Sequence, residues 1–117
     1  MSDATEIVRR AYAAADSGDW ETVETLVQPD VEFHPDSSMG REAQRGVDAV
    51  VEFFSEPTSM FEHFRIEPEE VREVDGRVLV QLHLTGSGSA SGATFDIRIA
   101  HVWELREGLL SLGRGFA

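Results

Sequence analysis

The sequence predicts an α+β domain in which helices gather on one face of a mostly antiparallel sheet. Three observations predict it. Apolar residues recur at helical spacing through most of the first 55 residues, interrupted by one short strand-like run. From Ile66 onward the apolar period switches to two. Turn signals, above all Asp75-Gly76, then separate successive strand-like runs. Helices grouped ahead of a meander of strands give a layered α+β arrangement rather than alternating βαβ units.

The first helix begins at Asp3, with Glu6 three residues later as a capping box. Ile7, Ala11 and Ala14 form one row on it, and Val8, Tyr12 and Ala15 the next. Alanines on that inner face allow close packing against a flat partner. Gly18 suits the position after a helix end, and Asp19 can cap a second, short helix. Trp20, Val23, Leu26 and Val27 make its apolar stripe. Val31 and Phe33 then alternate with Glu32 and His34, which is strand spacing, and Pro35 ends the strand. Residues 35–44, rich in turn formers, read as a polar loop. A third helix is expected over residues 47–55, burying Val47, Val50, Val51 and Phe54, with Pro57 ending or kinking it.

The strand from Ile66 reaches the Asp75-Gly76 turn. In the next one Val78, Val80, Leu82 and Leu84 share a face opposite Leu79, Gln81 and His83. Residues 86–92 (GSGSASG) read as a flexible hairpin loop. A long strand over residues 94–105 follows. It sets Phe95, Ile97, Ile99, His101, Trp103 and Leu105 on one face and Asp96, Arg98, Ala100, Val102 and Glu104 on the other, unless a bulge shifts the register. A turn at Arg106-Glu107-Gly108 leads into a last strand from Leu109 to about Phe116.

A chain of 117 residues is expected to form a single domain, residues 1–117. It can bury roughly two-thirds of its unfolded surface, enough for a core without staples. No cysteine is present, which excludes disulfides and thiolate chemistry. No apolar run is long enough for a membrane span, and the acidic start does not resemble a signal peptide, so a cytoplasmic location is the default expectation. Twenty-two acids against ten bases give a net charge of −12, which argues against nucleic-acid partners and anionic membrane surfaces. Every base is an arginine and they are scattered, as codon bias would give.

The stretch DSGDWETVETLVQPDVEFHP, the helix GVDAVVEFF and the strand pair IAHVWELREGLLSLGRGF together resemble the nuclear transport factor 2-like superfamily, within it the SnoaL-like and ketosteroid-isomerase-like proteins. The resemblance covers nearly the whole chain. It implies a cone-shaped fold in which three N-terminal helices pack on a curved, mostly antiparallel sheet around a pocket. It also implies a homodimer joined through the outer sheet face. Function follows less directly, because this fold hosts isomerases, cyclases, dehydratases and pure binding modules.

By the same resemblance, His34 takes the place of a carboxylate general base that precedes a proline at the end of the first strand. A neutral imidazole can accept a proton near pH 7; alternatively His34 only hydrogen-bonds a neighbour. Arg98 falls at or near the position of an acid that stabilises an enolate oxygen, with Asp96 assisting. The alternative is an ion pair bridging strands. Tyr12 lies one residue from an expected phenol donor and reads as pocket wall. Trp20, Phe33, Met39, Phe53, Phe54, Met60, Phe61 and Phe64 are the expected apolar lining, with Met39 and Met60 as an adaptable rim. His101 and Trp103 are assigned to core or interface packing, and His63 and His83 to structural or solvated roles. Glu32, His34 and Asp36 make a metal-ligand set too weak to support a site.

The last strand, LLSLGRGFA, lacks the acid of epoxide-hydrolase-like and cyclase-like members, and the paired tyrosines of dehydratase-like members are missing. The expected activity is cofactor-independent isomerase- or cyclase-type acid–base chemistry on an apolar, steroid- or polyketide-like carbonyl compound. A non-catalytic ligand-binding or accessory module is the alternative.

Overall fold

The computed structural model describes residues 3–88 and 92–117. Helix α1 (Asp3–Ser17) buries Val8, Ala11, Tyr12 and Ala14, the two rows expected from its spacing. Gly18 ends it in the left-handed region, φ 77°, where an amide N–H can turn back to Ala15 O at 3.1 Å without a Cβ penalty. Asp19 then caps α2 (Trp20–Thr25), its carboxylate accepting from Thr22 N at 3.2 Å.

β1 (Val27–His34) follows directly, with Val31 and Phe33 fully buried. A single 3₁₀ turn (Ser37–Met39) and a two-residue strand β2 (Gln44–Arg45) occupy what reads as loop in the sequence. β2 exists only because Phe33 and Glu32 leave a free edge for Gln44 and Arg45 to pair with.

α3 (Val47–Met60) runs five residues beyond the expected end at residue 55 and contains Pro57. Pro57 removes one backbone donor, but hydroxyls supply others. Ser55, Thr58 and Ser59 bond back to the carbonyls of Glu52, Ser55 and Glu56 at 3.0, 2.6 and 2.8 Å. β3 (Phe61–Val74) starts at once, five residues before Ile66. Its first half escaped a period-of-two reading because the register shifts between Glu62 and Arg65, with His63 at φ 53°. His63 therefore lies within β3 rather than in a loop. Pro68 is tolerated because β3 is an edge strand.

Asp75 and Gly76, at φ 52° and 79°, turn β3 into β4 (Arg77–Gly88). Glu107 and Gly108, at 53° and 78°, do the same between β5 (Thr94–Arg106) and β6 (Leu109–Phe116). Two consecutive positive φ values match the right-handed twist of the flanking strands. The hairpin loop expected over residues 86–92 begins later than expected, since Gly86 and Gly88 still belong to β4; residues 89–91 lie outside the described residues.

Among the described residues six strands form one sheet in the order β2-β1-β6-β5-β4-β3. β1 and β6 are parallel and every other pair is antiparallel. The fold of the described residues is thus α+β with three helices, α3 entering after β1 and β2 rather than ahead of all strands. Val78, Val80 and Leu82 face the helices opposite Trp103, His101 and Ile99 and are wholly buried. Asp16 at the end of α1 accepts Ile66 N–H at 2.8 Å and Arg65 Nη2 at 2.8 Å, which fixes the helix to β3. Among the described residues no helix is long and apolar enough to cross a membrane.

Candidate functional site

Between α3 and the inner sheet face lies a cavity of about 430 Å³. Phe53, Phe54, Pro57 and Met60 of α3 form one wall. Phe64, Ile66, Leu84, Ile97 and Ile99 form the sheet wall. The end of β1 and the last residues of the chain, including Phe33, Asp36, Gly115 and Phe116, close the third side. Met39, Met60, Ile97 and Phe116 are about half exposed around it, which gives the opening an apolar rim. A second space of about 40 Å³, room for roughly one water, sits behind Phe54 between Tyr12, Trp20 and Trp103.

Glycine makes the floor. Gly113 and Gly115 of β6 lie opposite Trp103 and His101 of β5. A Cβ on Gly113 would sit 2.7 Å from the Trp103 ring and 2.8 Å from Phe33. A Cβ on Gly115 would meet Asp36 N and Phe33 at 3.3 Å and His101 Cδ2 at 3.5 Å. The missing side chains leave room for three rings to converge: Phe33 lies edge-on to His101 at 4.8 Å and 5.7 Å from Trp103. Phe54 is edge-on to Phe33 at 4.8 Å.

Few polar groups reach this apolar space. His101 is 5% exposed, and its Nδ1 lies 2.6 Å from Tyr12 Oη. Trp103 Nε1–H donates to the same phenol oxygen at 2.8 Å. Burial pushes the His101 imidazole down to about 3 and raises the Tyr12 phenol, because neither charged form is solvated there. Asp36 lies on the cavity wall. Donation from the Ser38 hydroxyl and amide, and from Ala117 N–H at 3.3 Å, holds its carboxyl below the usual range. Arg41 pairs with Glu56 at 3.0 Å while its guanidinium lies 5.0 Å over the Phe53 ring.

The structure brings together Phe33, Met39, Phe53, Phe54, Met60 and Phe64 around the large cavity. Tyr12 and Trp20 line the smaller one. Phe61 is elsewhere, stacked edge-on against Phe95 at 4.8 Å. The three residues assigned catalytic roles from the sequence do not meet at the cavity. His34 shares β1 with Phe33, so alternation sends it to the opposite face. There its Nε2 is 3.1 Å from Glu32 Oε1. Arg98 also points outward, with Nε 2.9 Å from Glu69 Oε1 and Nη1 3.7 Å from Asp96. Asp96 bonds His83 Nε2 at 2.7 Å. The register pairs Ile97 and Ile99 with Leu84 and Leu82 on the inner face, which puts Asp96 and Arg98 outside.

His101 was the polar residue that sequence reasoning assigned to packing. The signal was present: Tyr12 on the inner face of α1, and His101 and Trp103 two apart on the inner face of one strand. Among the described residues no group of three or more His, Asp or Glu is placed to hold a metal ion.

A single mixed sheet covered on one side by three helices, with an apolar cavity between them, defines an NTF2-like pocket protein. The sequence profile of the SnoaL-like domain matches residues 8–112, so the chain belongs to the SnoaL-like family. Solved structures agree. TerC, crystallised with polyporic acid, is 25% identical, with 99% of this chain and 92% of that one covered at a TM-score of 0.85. An NTF2-like protein of unknown function from Burkholderia pseudomallei K96243 is 23% identical over 100% and 92% of the two chains, TM-score 0.85. A candidate SnoaL-like polyketide cyclase from Jannaschia sp. CCS1 is 21% identical over 97% and 84%, TM-score 0.84. No curated protein sequence matches the chain.

Proposed function

We propose that this protein binds a small, largely apolar carbonyl compound in the 430 Å³ cavity. The observation that carries the reading is the cavity itself: apolar walls, an apolar rim and a buried imidazole among its few polar groups. Its size is that of a ligand site rather than a packing defect. TerC, at 25% identity, was crystallised with polyporic acid, which supports a small organic ligand here, and a neutral ketone such as 1-tetralone is the first probe. Titration of 1-tetralone, followed by tryptophan fluorescence, is expected to saturate in wild type. Ile99→Trp, which fills the cavity from the sheet wall, is expected to abolish saturation while circular dichroism stays unchanged. Equal binding by both proteins would refute the reading.

Acid–base catalysis is a second reading, favoured by one observation. Asp36 and His101 both line this cavity, so an ionised carboxylate and an imidazole share one largely apolar space. His34, Arg98 and Asp96 lie on the outer face, away from this cavity. The outer face carries the half-buried Leu79, Val102 and Leu112 amid ion pairs, which supports association of two copies through it.

A further inference from the structure

The cavity-binding reading leaves open which atom selects the ligand, and the hydrogen bonds behind the cavity wall answer that. Trp103 Nε1–H can only donate, and it reaches Tyr12 Oη at 2.8 Å. Tyr12 is 4% exposed, so its own hydroxyl hydrogen needs an acceptor. His101 Nδ1, 2.6 Å away, is the acceptor in reach. A proton on Nδ1 would leave the phenol hydrogen without a partner among the described residues. Donation therefore runs from Trp103 to Tyr12 to His101, and the imidazole proton is left on Nε2.

Nε2 has no hydrogen-bond partner among the described residues. None of their buried side-chain nitrogens or oxygens lacks a partner, so Nε2 must retain open surface. His101 is otherwise enclosed and lines the cavity, which makes that surface cavity surface. We propose that His101 holds a fixed Nε2–H donor toward the cavity and selects ligands with a neutral carbonyl oxygen over hydrocarbons and carboxylates of similar shape. Tyr12 and Trp103 are positioning residues, absent from the large cavity's lining. A hydrocarbon leaves the N–H unpaired. A carboxylate meets a neutral imidazole and the carboxylates of Asp36 and Glu56 on the same lining, with Arg41 already paired to Glu56.

The test uses 1-tetralone, tetralin and 1-naphthoate as probes. Long-range ¹H–¹⁵N spectra of histidine-labelled protein are expected to show Nε2 protonated and Nδ1 bare at pH 7. A protonated Nδ1 would overturn the proposal whatever binds. Wild type is expected to prefer 1-tetralone over the other two by about tenfold, the discrimination one buried hydrogen bond gives. Tyr12→Phe is expected to yield mixed tautomers and a smaller ketone preference while tetralin affinity is unchanged. His101→Phe is expected to erase the preference, and Tyr12→Phe keeps the test open if that variant does not fold. Equal affinity for ketone and hydrocarbon in a protein with Nε2 protonated would sink ligand selection but leave cavity binding intact. If none of the three probes binds, the cavity-binding reading itself fails.

Discussion

At the scale of single residues, the buried imidazole dominates the physical chemistry. His101 is neutral in the folded protein, with its value pushed from 6.5 to about 3 by burial. The phenol of Tyr12 faces it directly, and Asp36 lies beyond Gly115. In the unfolded chain the same side chain protonates near 6.5. The folded state binds fewer protons across that window, so the stability contribution is complete above pH 6.5 and is lost as pH falls toward 3. The limiting slope is about 1.4 kcal/mol per pH unit. Urea midpoints of wild type and His101→Phe, measured from pH 7 to 5, are expected to converge as pH drops. Parallel curves would show that His101 is solvated or charged in the folded protein.

At the scale of elements, β6 is where sequence and structure make the sharpest demand on each other. Gly113 is required not by its φ but by the rings of Trp103 and Phe33, which occupy the space a Cβ would take. Gly113→Ala is expected to destabilise the protein by about 1–3 kcal/mol through overpacking, and thermal melts check it. A change below experimental error would mean the rings can move aside. The same strand shows why the site was only half legible. The amphipathic spacing of α1, the β-period of β4 and β5, the Asp75-Gly76 turn and the family resemblance all read through directly. Phe33, Met39, Phe54, Met60 and Phe64 were identifiable as lining because large apolar residues of the helices and of the inner sheet face must meet in the space between them. The polar groups that line the cavity were not identifiable by family position alone. His34 matched a motif, but alternation from the buried Phe33 sends it outward, and pairing of β5 with β4 does the same to Arg98. β2 and the start of β3 were invisible because short edge pairings and bulges leave no period in the sequence.

At the scale of the whole molecule, the excess of acid and the six-stranded sheet set the terms for association. The outer face presents Leu79, Val102 and Leu112 between ion pairs such as Arg98–Glu69 and Arg77–Glu104. Pairing of two copies there would bury that apolar strip. With a net charge of −12 per chain, self-repulsion opposes it at low salt. Light scattering coupled to size exclusion is expected to give twice the chain mass at physiological salt, and Val102→Arg is expected to give the monomer. A wild-type monomer at high protein concentration would dismiss the outer-face pairing.

The most direct test of a ligand cavity at His101 is a map of where a ligand lands. 1-Tetralone would be titrated into ¹³C,¹⁵N-labelled protein and side-chain shifts followed. The cavity account predicts saturable shifts concentrated at the side chains of Phe33, Phe54, Phe64, Ile99 and His101, with those of His34, Asp96 and Arg98 still. Shifts centred on the side chains of His34 and Arg98, or no saturable shift, would contradict it.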